Sequence, residues 1–178
     1  MASVGEAALP LPAFSSPPRV LVVVAPFYRE IAEMLVQGAE ATLDRVKADR
    51  ERIEVPGALE VPAAIKIASA NSDFEGFVAL GCVVRGATTH YETVCNDSSR
   101  GIMMLNLAGL CVGNGILTVE NLDQAEERAD PHRQNKGGGA AEAALHLVAL
   151  YRRFDSRAAS IGFSAGGSDA TRAGTKLK

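Results

Sequence analysis

An unbroken apolar, largely β-branched run at residues 19–25, Arg-Val-Leu-Val-Val-Val-Ala, constrains the fold more than any other feature. A strand with one wet face alternates apolar and polar residues; a continuous run suits a strand buried on both faces, as in a parallel sheet. Similar runs lie at 77–84 and 112–118, with a shorter strand, Arg-Ile-Glu-Val, at 52–55. Between them the period becomes helical: Ile31, Met34, Leu35, Gly38, Thr42 and Val46 recur at the spacing of one helix face. Further helices are expected at 59–70, 91–110, 122–129 and 140–154, with Pro62 tolerated in a first turn. Strands alternating with helices predict an α/β fold, a four-stranded parallel sheet with helices on both faces. In such folds ligands bind beyond the carboxyl ends of the strands.

Residues 19–154 read as one domain. Residues 1–18, rich in Ala, Pro and Ser and without a hydrophobic period, read as a flexible arm, and residues 155–178 as a disordered tail. Of the 178 residues 47% are hydrophobic and 22% charged, which places the chain among packed globular proteins. A net charge of −3 gives no general attraction to nucleic acid or an anionic membrane. No apolar run approaches the roughly 18 residues that span a bilayer, and no secretory signal opens the chain. The three cysteines, Cys82, Cys95 and Cys111, follow no metal-ligand spacing. They read as buried free thiols in a reducing cytoplasm.

Four segments stand at expected strand ends: Pro26-Phe27-Tyr28, Pro56-Gly57-Ala58-Leu59-Glu60, Arg85 to His90, and Thr118-Val119-Glu120-Asn121. In the third, Gly86 allows a tight turn, and Thr89 with Glu92 matches a capping box that would start a helix at His90. The loop then feeds a helix N-terminus, where backbone N–H groups and the helix dipole attract anions, and Thr88 adds a hydroxyl. A phosphate fits there, although a capped helix after a strand is also common in proteins with no anion site. His90 is placed as a proton acceptor; the plain alternative is a solvent-exposed histidine. His146 follows Glu142 by one helical turn and reads as a surface pair, and His132 lies in a polar loop. Arg128 and Lys136 either complement a helix C-terminus or bind phosphate. Glu60 is either a helix N-terminal charge or a partner for a substrate N–H. Phe27 is either core or a stacking plate for a flat heterocycle.

Five stretches recur together in order: Ala-Pro-Phe-Tyr-Arg-Glu-Ile at 25–31, Val-Pro-Gly-Ala-Leu-Glu-Val-Pro at 55–62, Leu-Gly-Cys-Val-Val-Arg-Gly-Ala-Thr-Thr-His-Tyr at 80–91, Gly-Ile-Leu-Thr at 115–118 and Asn-Lys-Gly at 135–137. In content and spacing they resemble the lumazine synthase family, from about residue 19 to 154. The resemblance implies a flavodoxin-like three-layer sandwich. It implies that Phe27 stacks on a pyrimidine, that Ala58, Leu59 and Glu60 line the pyrimidine and ribityl pocket, and that Cys82, Val83 and Val84 meet the pyrimidine from the strand end. Ala87 and Thr88 would hold the phosphate of 3,4-dihydroxy-2-butanone 4-phosphate, and His90 would transfer protons. Arg128 would reach the same phosphate from a neighbouring subunit, with Lys136 nearby. It further implies a homopentamer with sites between subunits, small-molecule substrates, and neither metal nor cofactor. Some members of the family assemble pentamers into a hollow shell.

Three positions depart from the family pattern. Asn114 stands where an aromatic residue often walls the pyrimidine pocket from the neighbouring subunit. Leu59 also replaces an aromatic residue. Asp-Pro-His-Arg-Gln at 130–134 replaces a Gly-, Thr- and Lys-containing turn near pentamer contacts, and Pro131 restricts its backbone; a free pentamer is expected. Three other functions compete. A flavin-holding paralogue without catalysis would have little use for His90, Arg128 and Lys136 together. A purely structural shell fits poorly with Pro131. A flavodoxin-type electron carrier would need a Ser-, Thr- and Gly-rich loop where Pro26-Phe27-Tyr28-Arg29 stands.

Overall fold

A computed structural model describes residues 9–161, with side chains as far as Asp155. The expectations for residues 1–8 and 162–178 lie outside the described residues. The elements run β1 (Arg19–Ala25), α1 (Arg29–Arg45), β2 (Asp49–Glu54), α2 (Glu60–Asn71), β3 (Gly76–Val84), α3 (His90–Leu107), β4 (Cys111–Val119), α4 (Leu122–Ala129) and α5 (Lys136–Ile161). The four strands form one parallel sheet in the order β2-β1-β3-β4. This is the parallel α/β sheet with helices on both faces that the alternation predicts, and the flavodoxin-like sandwich that the resemblance implies.

The continuous apolar run of β1 serves two cores at once. Val20, Val22 and Val24 face α1, α4 and α5, where they meet Leu35, Leu43 and Leu145. Leu21 and Val23 face α2 and α3 and meet Val61, Ile65 and Ile102. These side chains are at most 3% exposed, and each contributes roughly 1.5–3 kcal/mol through burial. The chain leaves β1 over one face of the sheet and leaves β2 over the other. The carboxyl ends of β1 and β3 therefore part into a crevice, the topological switch point at which such sheets bind ligands.

Three elements differ from expectation for identifiable reasons. β2 starts earlier, at Asp49, because it is an edge strand with mostly exposed, charged side chains that carry no apolar signal. α3 stops at Leu107, not Leu110. Gly109 adopts a left-handed conformation (φ +91°), its N–H donates to Asn106 O, and Leu110 N–H donates to Leu105 O at 3.1 Å. That pair of bonds is a Schellman cap. α5 starts at Lys136, not Ala140, with three glycines in its first turn, and runs past Phe154 to Ile161. At its start the Asn135 side-chain oxygen accepts from Gly138 N–H at 3.1 Å. Ahead of β1, Leu11 and Phe14 pack on the core, and Arg152 donates from Nη1 to Ser16 O at 2.8 Å.

Candidate active site

Three loops and one strand end meet at the crevice. After β1, Pro26 ends the strand and Phe27 stands 75% exposed, its ring edge-on to Tyr28 at 5.1 Å. After β2, Glu60 N–H donates to Gly57 O at 3.2 Å and folds the loop so that Ala58 is buried while Leu59 and Glu60 remain open. At the end of β3, Cys82 is buried and Val83 and Val84 are half-buried. The next loop brings Gly86 and Thr88 to the space, and α3 adds His90, Tyr91 and Val94. Together these residues enclose a cavity of about 390 Å³. Its walls are mostly apolar, with Glu60, Thr88 and His90 as polar groups. That balance suits a flat heterocycle held in one orientation by a few hydrogen bonds.

The thiol of Cys82 is pushed up to about 11 by burial, so it stays protonated at neutral pH and acts as wall, not nucleophile. Cys111 is likewise pushed up to about 11 by burial, and all three cysteines are free. Beside the cavity, Arg85 donates from Nε to Glu120 Oε2 at 2.8 Å and from Nη1 to Glu92 Oε1 at 2.5 Å, and lies 4.2 Å over the Tyr91 ring. The hydrogen bond from Arg85 lowers the Glu92 carboxyl below its usual range. Among the described residues no group of three His, Cys, Asp or Glu side chains is placed to hold a metal ion, and no helix is long and apolar enough to cross a membrane.

The family profile described as 6,7-dimethyl-8-ribityllumazine synthase matches residues 17–152. A protein of that name from Jannaschia sp. (strain CCS1) is 55% identical over 163 residues, covering 92% of each chain. Proteins of the same name from Erythrobacter litoralis and Bartonella tribocorum are each 53% identical, covering 76% and 77% of this chain and 97% and 92% of theirs. The chain belongs to the 6,7-dimethyl-8-ribityllumazine synthase family.

Against that family's expected site, the fold brings Phe27, Ala58, Leu59, Glu60, Cys82, Val83, Val84, Thr88 and His90 around one cavity. Ala87 lies between two lining residues, Gly86 and Thr88, but is not itself among the residues that line it. Asn114, Arg128 and Lys136 lie elsewhere. Asn114 is exposed on the edge strand β4, its side-chain oxygen accepting from Ile116 N–H at 3.0 Å. Arg128 lies in the last turn of α4 and donates from Nη1 to Gln124 O at 3.0 Å. Lys136 opens α5.

Three local expectations are corrected. The capping box does not form: α3 starts at His90, but Thr89 makes no side-chain cap and Glu92 pairs with Arg85. Gly86 is not in the left-handed region, and a Cβ there would meet nothing within 4 Å. The turn therefore does not require a glycine there. Glu142 pairs with Arg45 of α1 at 3.6 Å, not with His146. His132 stays in an exposed turn, its N–H donating to Asp130 Oδ1 at 2.8 Å.

Sequence reasoning missed Tyr28, Tyr91 and Val94 as lining residues. The signal for two of them was present: once His90 starts a helix, Tyr91 and Val94 follow at the spacing that keeps one face toward the crevice. It also gave no role to Arg85 and Glu120, because their pairing depends on the adjacency of β3 and β4.

Proposed function

We propose that this chain condenses 5-amino-6-(D-ribitylamino)uracil with 3,4-dihydroxy-2-butanone 4-phosphate to 6,7-dimethyl-8-ribityllumazine, releasing phosphate and water, in the cytoplasm. The enzyme is a transferase of riboflavin biosynthesis. The carrying observation is the single cavity at the switch point, which joins an open aromatic plate, Phe27, to a helix N-terminus that presents Thr88 and His90. Phe27 stacks on the pyrimidine, Ala58, Leu59 and Glu60 hold its polar edge and the ribityl chain, and Cys82, Val83 and Val84 form the floor. Ala87 and Thr88 receive the phosphate, aided by the α3 dipole.

In the reaction the 5-amino group attacks the ketone and forms an imine with loss of water. Phosphate then leaves, and the 6-ribitylamino nitrogen closes the ring with loss of water. These steps call for positioning of two substrates and for proton transfer, the role of His90. Because positioning carries much of the rate, a His90→Ala enzyme is expected to be slowed and not silenced.

Among the described residues no arginine or lysine lines the cavity, yet a phosphate dianion in a largely apolar site needs a cationic partner. A homopentamer supplies it: Arg128, with Lys136 near, and Asn114 reach the cavity from the neighbouring subunit. The exposed apolar residues Met103, Met104 and Leu107 on α3 and Ile67 on α2 support burial against another subunit. The test is lumazine formation, followed by absorbance, with both substrates and purified protein. Steady turnover that falls strongly in Arg128→Ala supports the reading. Tight riboflavin binding with no rate above background would overturn it.

A further inference from the structure

The cavity's phosphate loop, residues 86–89, is tethered at both ends by one side chain that does not line the cavity. Arg85 stands where β3 ends, its own N–H donating to Val119 O at 2.9 Å, so its backbone belongs to the sheet. Its Nε reaches both carboxylate oxygens of Glu120, at 2.8 and 3.1 Å, just beyond the end of β4. Its Nη1 reaches Glu92 Oε1 in the first turn of α3 at 2.5 Å. Its guanidinium also covers the ring of Tyr91, 4.2 Å from the centroid, and that ring lines the cavity. One planar fork thus links the end of β3, the end of β4 and the first turn of α3, and these are the fixed points between which the loop with Ala87 and Thr88 is strung. A lysine would hold this link less well, because its ammonium is a point charge without the planar fork that spans two carboxylates while lying over a ring.

We propose that Arg85 is a positioning residue for the phosphate-bearing substrate, fixing the 86–89 loop and the start of α3 through Glu120, Glu92 and Tyr91. The proposal rests on the cavity being the lumazine-forming site. The arginine also takes Glu92 away from the capping box that the Thr89 and Glu92 spacing would otherwise favour. The first turn of α3 is thereby set by the sheet and not by its own cap.

The test is steady-state kinetics of the full-length assembled enzyme, with KM measured separately for each substrate. Arg85→Met keeps most of the stem and removes the fork. It is expected to raise KM for the butanone phosphate by about tenfold, with a smaller change in kcat and none in KM for the pyrimidine. Arg85→Lys is expected to recover only part of the loss. Glu120→Ala is the decisive second variant. It removes a negative charge, which by charge alone would favour an anionic substrate, but it also removes the anchor of Arg85 on the β4 side. A several-fold rise in KM for the butanone phosphate supports positioning. An unchanged or lowered KM in Glu120→Ala overturns the proposal, as does an equal rise for both substrates in Arg85→Met, which would mark general loosening of the fold. If Arg85→Met fails to assemble, Glu120→Ala, altered only at an exposed side chain, still decides. A wild-type enzyme that forms no lumazine would remove the reading on which the proposal rests; an active wild type with unaltered variants would sink the proposal alone.

Discussion

At Gly137 a Cβ would stand 2.0 Å from the Leu35 carbonyl oxygen of α1, a backbone atom that cannot swing aside. The glycine exists to let α5 start in contact with α1, and its neighbour Lys136 takes its place from that start. Gly137→Ala is therefore expected to lower stability by about 1–3 kcal/mol through overpacking, and to raise KM for the butanone phosphate because Lys136 shifts with the helix. Urea unfolding and substrate kinetics check both outcomes; an unchanged midpoint would show that α1 yields freely. Cys82 and Cys111 carry a different prediction. Burial raises both thiols from about 9 to about 11. An acid whose folded pKa lies above its unfolded value favours folding below the unfolded value and loses that contribution as pH rises through the folded one. Stability should therefore fall between about pH 9 and 11, and less steeply in a Cys82→Ala, Cys111→Ala chain. Parallel melting-temperature profiles for the two proteins would contradict this.

α4 shows how an element can be both small and consequential. It has eight residues, is capped by Asn121, whose side-chain oxygen accepts from Gln124 N–H at 3.0 Å, and carries Arg128 in its last turn. Asn121→Ala removes that cap and is expected to cost about 1 kcal/mol. It should also weaken phosphate-substrate binding more than pyrimidine binding, readable as a selective rise in one KM. Equal KM values for wild type and variant would detach Arg128 from the helix start. Elements of this kind also show what is legible in a sequence. β1 and α4 match their expected bounds, and β3 to one residue, because apolar period and cap chemistry act locally. The edge strand β2 is half-hidden, since its Arg and Glu side chains point to water and pair only with other elements. The start of α5 is hidden because a glycine run reads as a loop until the close approach of α1 explains it. The capping box at Thr89 fails for a similar reason: Arg85, seven residues before Glu92, lies within reach only after β3 has folded. The loops of the cavity were legible one by one, as strand ends. That they share a cavity follows from the strand order, which no local pattern encodes.

At the scale of the molecule, one chain presents an apolar cavity with a histidine and a helix N-terminus, while Arg128 sits away from it. The turn at 130–135 that follows Arg128 is closed on itself, with Asp130 O accepting from Arg133 and Asn135 N–H. If the cation comes from the neighbouring subunit, sites are divisible, and division can be measured. Phe27→Ser removes the stacking plate at a side chain that is 75% exposed, so folding should be little affected. Arg128→Ala removes the cation. Each variant alone should form lumazine poorly. Denaturing the two together in equal amounts and refolding them gives mixed rings, in which a site takes its Phe27 from one subunit and its Arg128 from the next. With random mixing about a quarter of the sites draw intact residues from both sides, so activity should recover to about that fraction of the wild type. If Phe27 and Arg128 serve the same site from the same chain, every site carries one defect and mixing recovers nothing. A recovered rate that also disappears when the mixture is diluted into monomers would tie catalysis to the contact between subunits, and the exposed α3 stripe Met103, Met104 and Leu107 is where that contact would be broken next.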